Sequence, residues 1–481
     1  MEKLFKLKAN GTTVRTEIIA GLTTFMTMAY IIALNPNLIV NFGANAPVAG
    51  PLWNGIFLAT VISAGIGTLL MAFLANKPFA LAPGMGLNTY FATVVAGIAG
   101  AMSAAAGIDY TFQDAYGAGL AIVLVSGILF TILTLVGVRE KIVEAIPKAV
   151  RLGIPAGIGL MLVNIGLGSN AGVQDANFNM YYMLSSFFTN GPSATAAAMG
   201  DAYSVMVLYV ITTFVGIFAI AVMHHKKING SVLFGMLIAA ACYWIGCFAM
   251  GQNPFAALAT ASWLPPFKDM IDTTLFKFDF KGLFAIGVFS AIMTIISFCM
   301  VDMFDTIGTL YGTAKRAGMV DKDGNMPAMK EAMLSDAVAT MVGASTGTST
   351  VTTFIESASG VEAGGRTGLT ALVTGILFLL SMFIAPIAAL IPPPATSAAL
   401  VFVGVLMMSS LKEVEYEDVA QAVPVVLMLV FMMVSSSIGS GIGMGLIAYS
   451  VLKICTGKAK EVSWLTIVLA VLFVLKFFVI F

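Results

Sequence analysis

Lys77-Pro-Phe-Ala-Leu-Ala-Pro-Gly-Met-Gly-Leu-Asn-Thr-Tyr-Phe91 and Gly343-Ala-Ser-Thr-Gly-Thr-Ser-Thr-Val-Thr-Thr-Phe-Ile-Glu-Ser-Ala-Ser-Gly360 are apolar enough to lie in a bilayer, yet badly made for helices. Prolines and glycines interrupt the first, and a helix starts near Asn88. The second runs through β-branched and hydroxyl residues to Glu356 and then small residues. Proline removes a backbone donor and β-branched side chains favour extended chain, so each stretch reads as a strand followed by a half-helix. Unpaired backbone groups cannot face lipid, so such breaks must be buried in protein or line a polar cavity. Two breaks that meet make that cavity, with free N–H groups at the half-helix starts. The alternative places both stretches in loops outside the membrane; Asn88 and Glu356 in apolar surroundings argue against it.

The rest of the chain demands a bilayer. Of 481 residues, 59% are hydrophobic and only 10% charged, with a mean hydropathy of +0.96, far from the roughly 25% charged residues of a soluble domain. Lys and Arg total 24, as do Asp and Glu, so no basic excess suggests a nucleic-acid polymer as partner. Cys242, Cys247, Cys299 and Cys455 show no metal-ligand spacing and read as small packing residues.

Hydropathy places spans near 17–36, 53–75, 79–100, 117–137, 148–166, 203–223, 230–250, 283–311, 328–346, 350–363, 367–391, 396–411, 419–435 and 462–480. The glycine-rich tract at 438–453 is left as either a crossing or a re-entrant stretch. The expected fold is an all-α polytopic membrane protein of about fourteen segments in two sets of seven, with extended stretches in segments 3 and 10. An odd number per half inverts the second half relative to the first. Loops at 37–51, 101–116 and 167–202 lack Lys and Arg, whereas their alternates carry Lys77, then Arg139, Lys141, Lys148 and Arg151, then Lys226 and Lys227, then Lys315 and Arg316. Basic loops stay in the cytoplasm, so the amino terminus, with Lys3, Lys6, Lys8 and Arg15, reads as a retained cytoplasmic end.

Within Met293-Thr-Ile-Ile-Ser-Phe-Cys-Met-Val-Asp-Met-Phe-Asp-Thr-Ile-Gly-Thr309, Asp302 and Asp305 sit three apart on one helical face. A charged Asp at a helix centre in the bilayer costs roughly 2.5 to 3.5 kcal/mol on the gentlest scale, so it must face a wet site or be protonated. Asp302 and Asp336 also suit a packing role through neighbouring hydroxyls. Carboxylates accept from ring N–H and amino groups, and a carboxamide such as Asn88 can give and take on one edge of a base. A neutral planar heterocycle fits such a cavity better than an inorganic anion.

These residues resemble the AzgA-like hypoxanthine/guanine/adenine permeases, a branch of the nucleobase–ascorbate (xanthine/uracil permease) family. The strings Ala82-Pro-Gly-Met-Gly-Leu-Asn-Thr-Tyr-Phe91, Asp302-Met-Phe-Asp-Thr-Ile-Gly-Thr309 and Thr352-Thr-Phe-Ile-Glu-Ser-Ala-Ser-Gly-Val-Glu-Ala-Gly-Gly-Arg-Thr367 carry the likeness, which covers nearly the whole chain. It implies the uracil-permease fold, with a core domain (1–137 and 283–391) moving against a gate domain (138–252 and 392–481). It also implies purine import across the cytoplasmic membrane by proton symport, in a family whose members often dimerise. The candidate substrate site is Asn88, Asp305, Glu356, Gly86, Thr27, Thr309 and Ser357, and the candidate proton-coupling acids are Asp305, Glu356 and Asp302. No metal or organic cofactor is expected, the proton being the coupling ion. Uracil and xanthine relatives have Glu-His and a later His in the eighth segment, where this chain has Asp305-Thr306 and Thr309. The only histidines, His224 and His225, lie in a cytoplasmic loop by this reading.

Sulfate and bicarbonate carriers share the implied fold, which makes anion exchange the nearest rival. A membrane-embedded enzyme is the rival of another class, because Gly343-Ala-Ser345-Thr-Gly347 spells a hydrolase elbow, although no histidine at bilayer depth is available as base.

Overall fold

The computed structural model describes residues 2–41, 47–137, 146–173, 197, 200, 202–316, 319 and 326–478. Arg139, Lys141 and most of the 167–202 loop lie outside the described residues. In chain order the helices are α1 (Glu2–Phe5), α2 (Val14–Met28), α3 (Ile31–Ile39), α4 (Pro51–Leu70), α5 (Met85–Ala106), α6 (Phe112–Val136), α7 (Lys148–Gly166), α8 (Ala202–His225), α9 (Ser231–Ala249) and α10 (Phe267–Thr273). There follow α11 (Val288–Arg316), α12 (Met329–Thr346), α13 (Ser357–Glu362), α14 (Gly368–Leu380), α15 (Ala385–Ala388), α16 (Pro393–Met407), α17 (Val419–Ser435), α18 (Ile438–Cys455) and α19 (Trp464–Phe478). Two short strands, β1 (Leu81–Pro83) and β2 (Val351–Thr353), pair antiparallel, with Leu81 opposite Thr353 and Pro83 opposite Val351.

Local chemistry starts the helices where hydropathy predicts them. Thr111 and Asp114 form a reciprocal capping box at the head of α6, and prolines occupy the first position of α4 and of α16. Among the described residues, ten helices are long and apolar enough to cross a membrane. The apolar part of α11, with α17 and α19, is shorter, and α12 carries Lys330, Glu331 and Asp336. The remaining expected segments lie in helices that are shorter or carry charge: α11, α17 and α19 by the length of their apolar part, α12 by its charged residues, and segment 10 in β2 and α13.

Helix α4 packs on α12 and α14, α6 on α11 and α12, and α2 on α13 and α14. A second set joins α7 to α16 and α17, α8 to α9 and α16, and α17 to α18. The sets meet where α5 touches α7 and where α11 touches α18. The open question at 438–453 has an answer in secondary structure: α18 is a continuous helix. Its glycines serve close packing, since a Cβ at Gly441 would lie 2.1 Å from Met432 and one at Gly443 2.5 Å from Phe473. His224 and His225 belong to the last turn of α8 rather than to a loop.

Helix α13 lies against α2 so closely that a Cβ on Gly360 would sit 2.0 Å from Thr24 Oγ1 and 2.8 Å from the Ala20 carbonyl oxygen. The backbone partner cannot swing aside. Gly360→Ala should therefore lower the stability of the detergent-solubilised protein by about 1–3 kcal/mol, measured as a drop in its melting temperature; an unchanged melting temperature would show that α2 and α13 separate easily.

Candidate functional site

The site is built on the β1–β2 pair. Beyond the two strands the ladder continues through Gly84 N–H to Thr350 O at 3.1 Å and Phe354 N–H to Ala80 O at 3.0 Å. Each strand then runs into its own helix, α5 at Met85 and α13 at Ser357, so strand-then-helix holds in both places, but only α13, six residues long, is a half-helix; α5, at 22 residues, is long enough to cross a membrane. The start of α5 falls three residues before Asn88.

Two acids approach this pair from different elements. Asp305, on α11, accepts a bond at Oδ2 from Thr352 Oγ1 of β2 at 3.1 Å. Glu356, at the entrance to α13, accepts at Oε1 from the Tyr30 hydroxyl at 2.7 Å. Both acids are only half-buried, and they lie within electrostatic reach of one another. Among the described residues, neither Asp305 Oδ1 nor Glu356 Oε2 is bonded to another residue or sealed from solvent. Each carboxyl group thus has one oxygen held by a protein hydroxyl, and the Glu356 carboxylate also meets its own backbone N–H.

The other candidates surround this pair in different roles. Thr27 Oγ1 reaches the Glu356 carbonyl at 3.4 Å. Ser357 Oγ accepts from the Ala80 N–H at 2.9 Å, tying the start of α13 to the approach to β1. Gly86 faces Ile158 of α7, where a Cβ would come within 2.2 Å, so the residue sets how closely the two helix sets approach. Thr309 turns its hydroxyl back to the Asp305 carbonyl at 2.8 Å. Asp302 is fully buried and lies 3.0 Å from Thr340 Oγ1.

Asn88 occupies a different setting from the acids. It is fully buried, donates to Asn35 Oδ1 at 2.5 Å and accepts from the Ser349 hydroxyl. Asn35 donates in turn to Thr60 at 2.8 Å and Thr348 at 3.0 Å. This network binds α3, α4, α5 and the approach to β2 together.

Sequence reasoning missed Tyr30, Glu17 and Asn35, whereas Asp336 takes the packing role through neighbouring hydroxyls that the sequence suggests for it. Asp336 accepts from Thr353 N–H at 2.8 Å, from Thr353 Oγ1 at 3.0 Å and from Thr306 Oγ1 at 2.5 Å. The elbow spelled by Gly343 to Gly347 is the end of a helix, with Ser345 Oγ bonded to the Met341 carbonyl at 2.8 Å, and not a strand-to-helix turn. A cavity of about 770 Å³ opens elsewhere, lined by Asn54, Tyr243, Trp244, Asp269 and Pro392 among others, and contains none of the candidate residues. Among the described residues, no group of three His, Cys, Asp or Glu side chains could hold a metal ion.

Broken helices meeting around half-buried acids, within a multi-pass membrane bundle, define a permease. The particular family follows from comparison: residues 15–444 match the xanthine/uracil model of the permease family, and the chain belongs to that family. It is 40% identical to a putative permease of Methanocaldococcus jannaschii, over 99% of this chain and 98% of that one. It is 37% identical to the adenine permease AdeQ of Escherichia coli, over 99% and 96% of the respective chains. It is also 37% identical to the guanine/hypoxanthine permease PbuO of Bacillus subtilis, over 99% and 100%. In fold it is similar to the transmembrane domain of the cyanobacterial bicarbonate transporter BicA, with a TM-score of 0.58 at 15% identity, covering 90% of this chain and 97% of that one. SLC26A9 gives a TM-score of 0.56 at 12% identity, covering 92% and 66%.

Because the amide of Asn88 is engaged at both ends inside protein, Asn88→Ala leaves Asn35 and Ser349 without it. A loss of about 1–3 kcal/mol in stability is expected, read as a lower melting temperature. A variant with wild-type stability and an altered substrate preference would instead place this side chain against the substrate.

Proposed function

We propose that this permease imports purine nucleobases (hypoxanthine, guanine or adenine) across the cytoplasmic membrane together with a proton. One observation carries the reading: Asp305 and Glu356, beside the paired strands, each present one oxygen to a protein hydroxyl, and among the described residues the other oxygen is bonded to no further residue. Two such acceptors suit the ring N–H and amino donors of a purine, which bring neutral, planar hydrogen-bonding chemistry to a place where net charge is costly. The relatives named as adenine and guanine/hypoxanthine permeases, aligned over nearly the full chain, support the same class of cargo.

A carboxyl group at this depth can load a proton from the outer side and release it inside, so the same acids serve coupling and binding. Asp305 and Glu356 are the residues assigned to it, with Asp302 behind them. For alternating access, the helices within 1–137 and 283–391 form a core that carries the strands, and those within 138–252 and 392–481 form a gate. Gly86 against Ile158 marks one place where they slide. The amino terminus is cytoplasmic, as the basic loops indicate.

Asp305→Asn and Glu356→Gln should each cut uptake of labelled hypoxanthine roughly tenfold or more, the worth of a charge-assisted hydrogen bond of ~1.5–3 kcal/mol, with membrane abundance unchanged. Near-normal uptake in either variant removes that residue from the site. The host should lack its own purine carriers, and competition should come from purines and not from sulfate or bicarbonate.

Coupling has its own test. Uptake should collapse when a protonophore is added and persist when sodium is replaced; dependence on sodium would overturn proton symport.

A further inference from the structure

We propose that Tyr30 is the positioning residue of Glu356, holding one carboxyl oxygen so that the other stays directed at the substrate; the inference rests on the substrate reading above. Tyr30 sits in the joint between α2 and α3 and is fully buried. A buried phenol needs a polar partner, and its hydroxyl donates to Glu356 Oε1 at 2.7 Å. Thr27, three residues earlier and so on the same helical face, reaches the backbone oxygen of the same glutamate at 3.4 Å. The acid is therefore gripped at both its main chain and its side chain by the first segment.

That grip extends along α2. Thr24 and Ala20 lie against Gly360. One turn further back, the fully buried Glu17 accepts from Arg366 N–H at 2.9 Å, Thr367 N–H at 3.3 Å, Thr370 N–H at 3.1 Å and the Thr370 hydroxyl at 2.6 Å. Helix α2 acts as a splint from Glu356 to Thr370. The splint matters because α13 is only six residues long, and Glu356 at its entrance makes no side-chain capping bond to it. The N–H groups of its first turn are already taken, Ser357 by the Phe354 carbonyl at 3.1 Å, Ala358 by that of Ile355 at 3.0 Å and Ser359 by that of Glu356 at 3.0 Å, so the helix start offers the carboxylate no partner and Tyr30 supplies one. A phenol donates its proton at any physiological pH, so the bond holds one oxygen whether the other carries a proton or accepts from the base.

The test uses the full-length carrier in proteoliposomes, with labelled hypoxanthine. Tyr30→Phe keeps the ring and removes only the donor. Its KM should rise roughly tenfold, its pH profile of uptake should move by about half a unit or more, and its melting temperature should stay near that of the wild type. Glu356→Asp, whose carboxyl group falls one methylene short of the phenol, should show the same displaced profile, and adding Tyr30→Phe to it should change nothing further. Wild-type KM and pH profile in Tyr30→Phe would overturn the inference alone. So would an undiminished effect of Tyr30→Phe in the Glu356→Asp background, or a Tyr30→Phe carrier that fails to fold. A wild type that moves no purine would overturn the substrate reading and this inference with it.

Discussion

The constraint on which the structure depends is that two stretches of non-helical backbone lie inside a membrane bundle, where each unpaired polar group costs several kcal/mol. Pairing β1 with β2 satisfies only the inner edges. A two-stranded ladder still has two outer edges, and in water those would be solvated. Here side chains take the place of water. Thr68 Oγ1 accepts from Leu81 N–H at 2.9 Å and reaches the Leu81 carbonyl at 3.1 Å. Thr340 Oγ1 accepts from Val351 N–H at 3.3 Å, Asp336 from Thr353 N–H at 2.8 Å and Ser357 from Ala80 N–H at 2.9 Å. A hydroxyl both gives and accepts, which is why threonine recurs on the helices flanking the strands.

The antiparallel arrangement has a geometric consequence. Strands of opposite direction that each lead into a helix send those helices away from one another, so their first turns meet at the strands. An inverted repeat produces this arrangement from two copies of one strand-then-helix unit. Side chains from outside the unit then complete it. Asp305 arrives on α11 and bonds Thr352; Asp302, on the same face one turn earlier, lies against Thr340, which itself bonds β2. The two aspartates have one orientation and two environments, one sealed and one half-open.

Much of this was legible in the sequence because it is local. Proline, glycine and β-branched residues mark the breaks within a few positions of where the strands lie, and the three-residue spacing of Asp302 and Asp305 places both toward β2. What escaped depends on long-range pairing. Tyr30 reads as one more aromatic residue in an apolar helix, and only the fold sets it beside Glu356, 326 positions away. Glu17 looks like an interfacial acid, yet it holds the backbone of residues 366–370 across a similar separation. The carboxamide of Asn88 suggested an edge for a base; its actual partners, Asn35 and Ser349, are themselves polar residues in apolar segments. The glycines of α18 misled in another way, because helix propensity in water penalises them while close helix packing in a bilayer rewards them.

Likeness in fold to BicA and SLC26A9 fixes how the segments cross, not what they carry, because function resides in the side chains placed on the fold. In this chain the groups offered beside the strands are two carboxyl oxygens, and no Lys or Arg lies between Lys77 and Phe91 or between Gly343 and Gly360 to oppose them. An anion entering there would meet like charge unless both acids were first protonated, and a second buried negative charge adds to the first in cost. A neutral hydrogen-bond donor meets the opposite situation: it satisfies an acceptor that is otherwise left to water. Under the proposed function, a backbone shared with an anion carrier is turned toward neutral cargo by two acidic side chains and the hydroxyls that hold them.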